Sequence, residues 1–137
     1  MSTFRCDIVT PESLLFSEEV NFVSVPGSEG ELGILAKHAP VVSTLKLGAI
    51  RVKREENSEP LAFAVTGGYV EIDGTKVVVL ATRAVDASTV TPEEARASKA
   101  AAEQKLSALA EDDSRAAFYN DEIAFFELLE NLHAARA

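Results

Sequence analysis

Cysteine, histidine and positive charge are all scarce in this chain of 137 residues. Cys6 is the sole cysteine, so no disulfide framework can form within the chain. It stands in an alternating apolar segment with no histidine or cluster of bases near it in sequence, so a small buried hydrophobe is expected rather than a nucleophile. The two imidazoles are His38 and His133. His38 lies in a loop without a serine or carboxylate at the spacing a catalytic template needs. His133 sits near the C-terminal end of a predicted helix, where the helix dipole favours a cation. No histidines pair at helical spacing and no cysteines cluster, so neither a metal site nor a resident cofactor is expected. The phosphate-loop, dinucleotide-binding and nucleophile-elbow patterns are missing too. Gly27-Ser28-Glu29-Gly30-Glu31-Leu32-Gly33 is glycine-rich, but its two glutamates would repel a phosphate, and it reads as turns between strands. With no nucleophile, base and metal set in view, the chain is not expected to be an enzyme.

The shortage of bases excludes more. Lys and Arg number 13 against 22 Asp and Glu, a net charge of -9. Such a chain is a poor ligand for a nucleic-acid backbone and for anionic lipid headgroups. No apolar run approaches the length of about 18 residues that a membrane-crossing helix requires. The first residues, Met1-Ser2-Thr3-Phe4-Arg5-Cys6-Asp7, lack a signal-peptide core, so the chain is expected to stay in the cytoplasm. An apolar fraction of 47% and a charged fraction of 26% exclude wholesale disorder.

What is present changes character near Asp86. Valine and glycine dominate before it, and alanine and glutamate after it, where glycine vanishes. This predicts a β domain over 1-86 and a helical appendage over 87-137. Strands are predicted at Cys6 to Val9, Leu14 to Phe16 (closed by Ser17-Glu18-Glu19), Val20 to Val25 and Glu31 to Leu35. Further strands are predicted at Ala49 to Lys53, Leu61 to Val65, Tyr69 to Ile72 and Lys76 to Leu80. Glu55 to Pro60 reads as a polar hairpin loop, Gly67-Gly68 as a point where the chain bends back, and Asp73-Gly74 as a tight hairpin. Many short strands predict a β-sandwich or flattened barrel. Thr91-Pro92-Glu93-Glu94 is a helix start, and the helix is predicted to run to about Ala110 with Ala95, Ala102, Leu106 and Leu109 on its apolar stripe. Glu111 to Ser114 breaks it. A second helix carries Phe118, Phe125, Leu129 and Leu132 on one face, with Phe126 off that stripe, packing on the sandwich or meeting a partner. Neither helix is stable alone, and an antiparallel two-helix hairpin is the simplest arrangement.

Several strings are specific. Val9-Thr10-Pro11-Glu12 and Leu15-Phe16-Ser17 come first. Val25-Pro26-Gly27-Ser28-Glu29-Gly30-Glu31-Leu32-Gly33-Ile34-Leu35-Ala36-Lys37-His38-Ala39-Pro40 follows, then Leu45-Lys46-Leu47-Gly48, Phe63 to Ile72 and Val77 to Ala81. Together they resemble the epsilon subunit of bacterial and chloroplast F-type ATP synthases over the first two thirds of the chain. The resemblance implies a non-catalytic rotor subunit of the central stalk. Its implied partners are the gamma subunit, the c-ring and the alpha and beta catalytic subunits. It would help couple proton flow to ATP synthesis, and its C-terminal helices would brake ATP hydrolysis. It would sit peripherally at the cytoplasmic face of the plasma membrane, touching the membrane only through the complex. Glu31, Leu32, Ile34, His38 and Pro40 are the interface candidates of the β domain; Phe118, Phe125 and Phe126 are those of the tail.

The alternative is a nucleotide-sensing module whose tail folds on ATP. Some epsilon subunits bind ATP through Ile/Leu-Asp-x-x-Arg-Ala at the start of the first helix. In one register the motif falls on Val90 to Ala95, where Thr91 replaces the Asp and Glu94 the Arg. Shifted, it falls on Glu93-Glu94-Ala95-Arg96-Ala97, which keeps Arg96-Ala97, substitutes Glu93 for the Asp and needs a two-residue deletion later in the helix. Neither is intact. The second helix departs further: in the family it is often basic, its Lys and Arg facing acidic segments of the beta subunit, and here it carries Asp121, Glu122, Glu127 and Glu130.

Overall fold

The computed structural model describes residues 3–36 and 39–136, with the backbone alone for 133–136. The chain divides into two compact units, Met1–Asp86 and Ala87–Ala137.

The first unit follows from two-residue periodicity. Along β1 (Phe4–Val9), Phe4, Cys6 and Ile8 are buried while Arg5 is exposed. Seven further strands among the described residues are β2 (Leu14–Val20), β3 (Phe22–Gly27), β4 (Gly30–Ile34), β5 (Val41–Thr44), β6 (Gly48–Lys53), β7 (Leu61–Ile72) and β8 (Lys76–Asp86). The hydrogen-bonded order is β2-β1-β8-β7-β6-β3-β4, with β5 added to β7. β1 and β8 run parallel, and the other pairs are antiparallel.

One strand divides this sheet into the two layers of a sandwich. β7 pairs with β6 through Leu61 to Val65 and with β5 through Tyr69 to Ile72. Between those stretches Gly67 and Gly68 hold φ of 70° and 94°. At such a position the strand kinks without breaking, and β8 follows it on the other side. The two glycines therefore do not turn the chain back, as their sequence implied; they bend one continuous strand. The corner is tied by Leu45, whose N–H donates to Gly68 O at 2.9 Å, and by Lys46 N–H to Pro26 O at 3.0 Å. β2 and β4 end the path unpaired to each other, so the sheet is an open sandwich rather than a closed barrel.

Ile8, Val20, Val23, Val25, Ile34, Ile50, Val52, Phe63, Val65, Val70 and Val79 fill the space between the layers. Each contributes about 1.5–3 kcal/mol by leaving water. Phe16 meets Phe63 edge to face with ring centroids 5.6 Å apart. Cys6 is fully buried in this core, and burial pushes its thiol up to about 12, so it behaves as an apolar filler. Ser17, Glu18 and Glu19 do not close β2; they pair across to Asp7, Cys6 and Arg5 and carry the strand on to Val20. Val41 to Thr44 is a strand that its composition did not announce.

The second unit begins with a short 3₁₀ turn, Ala87–Thr89, followed by α1 (Pro92–Ser107) and α2 (Ala116–Arg136). Thr91 caps α1: its Oγ1 accepts from Glu94 N–H at 3.1 Å, and Glu94 Oε1 accepts from Thr91 N–H at 3.2 Å. α1 stops at Ser107, short of Ala110, as the chain enters turns at Ala108 to Arg115. The helices form an antiparallel hairpin whose interior is Ala95 and Ala102 of α1 against Phe125, Leu129 and Leu132 of α2. Leu106 and Leu109, placed on the same stripe by spacing, are only half-buried.

Candidate docking surfaces

The β3–β4 hairpin holds three of the five interface candidates of the β unit, Glu31, Leu32 and Ile34. Its turn, Gly27 to Gly30, is fastened to β5: Ser28 N–H donates to Thr44 O at 2.9 Å and the Ser28 and Thr44 hydroxyls lie 2.6 Å apart. Glu31 and Pro40 are exposed, and Leu32 is half-buried against the core. Ile34 is fully buried opposite Val23 and serves the core of this unit. The strand alternates, so with Ile34 inward it is Leu35 that emerges, at 61% exposure. His38 lies outside the described residues.

A second surface escaped sequence reasoning. In β7, Val70 and Ile72 point into the sandwich, so Tyr69 and Glu71 point out. Their cross-strand neighbours are Thr44 and Val42 on β5 and Leu80 and Val78 on β8. Val9 of β1 lies beside Leu80. Val9, Pro11, Tyr69 and Leu80 line an open hollow of about 430 Å³. Pro40, Val42, Glu71, Asp73, Lys76 and Val78 line another of about 460 Å³. Val42, 68% exposed, and Tyr69, 41% exposed, belong to this outer sheet face. The signal was available: Tyr69 is out of phase with Val70 and Ile72.

A polar network borders this face. The Ser17 hydroxyl donates to Asp7 Oδ1 at 2.6 Å, Arg5 Nε donates to the same oxygen at 3.3 Å, and the Arg5 guanidinium also donates to Ser17 Oγ. Lys76 Nζ lies 3.7 Å from Asp7 Oδ2. The Ser17 hydrogen bond, helped by Arg5 and Lys76, holds the Asp7 carboxyl below its usual range despite partial burial.

In the hairpin, the tail candidates separate. Phe125 is buried at 1% exposure and fills the core of the hairpin. Phe118 shares its stripe by angle but lies in the first turn of α2, beside the end of α1, and remains 58% exposed. Its ring meets Tyr119 edge to face at 5.2 Å. Phe126 is half-buried and, with Phe118, Tyr119 and Glu122, forms one wall of a groove of about 290 Å³. The other wall is Ser98, Ala101, Ala102 and Lys105. Arg96, the arginine that the shifted register of the ATP motif keeps, lies with a guanidinium nitrogen 3.5 Å from Glu93 Oε1, both side chains being largely exposed. Lys99 pairs with Glu127 at 3.9 Å and Arg115 with Asp113 at 2.8 Å; hydrogen bonds from Arg115 hold the Asp113 carboxyl down at about 2. Among the described residues no three His, Cys, Asp or Glu side chains gather as a metal site requires. No helix among them is long and apolar enough to cross a membrane.

The family model of the ATP synthase delta/epsilon chain β-sandwich domain matches residues 3–87. The ATP synthase epsilon chain of Desulforamulus reducens is 42% identical over 133 residues, covering 97% of each chain. Epsilon chain 1 of Methylococcus capsulatus is 40% identical over 98% of each. Among solved structures, a chain of the Euglena gracilis mitochondrial ATP synthase (OSCP/F1/c-ring) superposes with a TM-score of 0.77 at 20% identity. That match covers 95% of this chain and 81% of the other. A chain of the Tetrahymena thermophila mitochondrial ATP synthase central stalk and c-ring gives 0.63 at 15% identity, covering 94% and 97%. A β-sandwich followed by a two-helix hairpin, matched over nearly its whole length by these relatives, belongs to the epsilon-chain family of the F-type ATP synthases.

Proposed function

We propose that this chain is a central-stalk subunit of an F-type ATP synthase that couples rotation to catalysis without chemistry of its own. The β unit docks on the gamma subunit and on the c-ring, in a complex that includes the alpha and beta subunits. The chain is held peripherally at the cytoplasmic face of the plasma membrane through those contacts. The observation that carries this reading is the near-complete match to epsilon chains. The outer face of β5, β7, β8 and β1 fits it. A rigid sheet transmits torque better than a loop, and the apolar hollow at Tyr69 and Leu80 beside a charged border suits a protein partner. The β3–β4 end, with Glu31, Leu32, Leu35 and Pro40, offers a second contact for the ring.

The test is a pull-down of the tagged chain from detergent-solubilised membranes, read by mass spectrometry. Co-recovery of gamma, alpha, beta and c subunits supports the assignment; a monomer without them refutes it. A nucleotide-sensing role has little to rest on here. Arg96 faces Glu93, and α2 supplies no Lys or Arg between Ala116 and Ala135 to meet a triphosphate. Isothermal titration with Mg-ATP should therefore give no heat of micromolar binding, and a saturable micromolar isotherm would reinstate the sensor.

A further inference from the structure

We propose that the groove of the helical hairpin is a docking site for a basic partner segment, one that inserts an apolar side chain between α1 and α2 and sets Lys or Arg around it. One wall is small and apolar at Ala101 and Ala102, and the other is aromatic at Phe118 and Phe126. Phe118 keeps most of its surface in solvent, though its stripe is otherwise the buried side of α2. An exposed aromatic beside a hollow is the kind of anchor that dominates interface energetics.

Charge chooses the occupant. Residues 87 to 137 hold five Lys and Arg against ten Asp and Glu, a net of -5. From Ala116 to Ala135 the chain carries Asp121, Glu122, Glu127 and Glu130 and no Lys or Arg. Three of the hairpin's cations are already engaged, Arg96 by Glu93, Arg115 by Asp113 and Lys99 by Glu127. Lys105 is the one base on the groove wall, opposite Glu122. An acidic segment would meet this field with repulsion, whereas a basic one is steered to it, and its ammonium or guanidinium groups also find the Phe118 and Tyr119 ring faces. The site is confined to the hairpin and goes beyond the coupling role: it names a partner chemistry opposite to that of basic-tailed relatives.

The test is fluorescence anisotropy on the full chain with a labelled amphipathic helix of leucine and lysine as probe, beside its leucine/glutamate counterpart. The lysine peptide should bind, and raising salt from about 0.05 to 0.3 M should weaken it about fivefold. Phe118→Ala, a change at an exposed position, should weaken it about tenfold while circular dichroism stays unchanged. No binding by the lysine peptide, or equal binding by the glutamate peptide, would overturn the charge argument. Unchanged affinity in Phe118→Ala would move the contact out of the groove. Failure here leaves the pull-down result intact, so the two readings are judged separately.

Discussion

Gly68 holds φ at 94°, and a Cβ built there would stand 1.9 Å from Leu80 O and 2.9 Å from Ala81 Cα. Both obstacles are backbone, so nothing swings aside. Gly68→Ala should cost roughly 3 kcal/mol or more through strain and overpacking. Gly33→Ala, whose Cβ would meet only the Phe22 ring at 3.4 Å, should change stability by less than about 1 kcal/mol. Urea denaturation of both variants measures the contrast. Asp7 predicts a pH dependence. Its folded-state pKa is lowered, chiefly by Ser17, so its stabilisation is complete above the unfolded carboxyl value of about 3.9 and is lost as pH falls through the lower folded value. Asp7→Asn should be less stable by about 1 kcal/mol at neutral pH and should show a flatter acid limb in unfolding experiments run down from about pH 4. At this scale the sequence was only partly legible. Apolar type alone put Ile34, Phe125 and Phe118 together as contact residues. Burial separates them: phase within a strand hides Ile34 and exposes Leu35, and position along α2 hides Phe125 and exposes Phe118.

Elements were easier to read where local chemistry decides them. The Thr91 box with Pro92, the Asp73-Gly74 turn and the Glu55 to Pro60 loop all act within a few residues. In the turn, Asp73 Oδ1 accepts from Lys76 N–H at 3.0 Å, and in the loop Ser58 N–H donates to Glu55 O at 3.1 Å. What was not legible is what partners decide. β7 continues through Gly67-Gly68 because β8 pairs along both of its halves; β2 continues through Ser17-Glu18-Glu19 because β1 holds it. Val41 to Thr44 becomes a strand only beside β7. The hairpin also depends on pairing, since α1 offers little more than alanine and α2 supplies the bulk. Phe125→Ala should therefore remove about 3–5 kcal/mol from the helical unit and melt it. Far-UV circular dichroism should lose helical signal at a lower temperature than wild type, while Met1–Asp86, a separate compact unit with its own core, retains its β signal. Simultaneous loss of both signals at the lower temperature would show that the two units fold as one.

At the scale of the whole molecule, charge is divided unevenly. The helical unit carries more than half of the net charge of -9 in well under half of the residues. A tail that brakes a rotary enzyme by attraction needs charge opposite to that of the surface it meets. In basic-tailed relatives the resemblance implies Lys and Arg against acidic segments of the beta subunit. Here the signs on α2 are the same as on such a segment, and like charges across an interface oppose docking. Each solvated pair matters little, about 0–1 kcal/mol, so the tail is not driven away; the attraction is simply absent. A purely steric brake would rest on Phe118 and Phe126, because Phe125 is consumed by the hairpin core. Deleting residues 88 to 137 removes the hairpin and leaves every strand of the β unit in place. The ATP hydrolysis rate of the assembled complex should then stay nearly unchanged, with assembly confirmed by co-purification. A severalfold rise on deletion would mean that the tail brakes after all. Its salt dependence would then separate the causes: loss of the rise at high ionic strength would indicate a charge contact, and persistence a steric contact through Phe118 and Phe126.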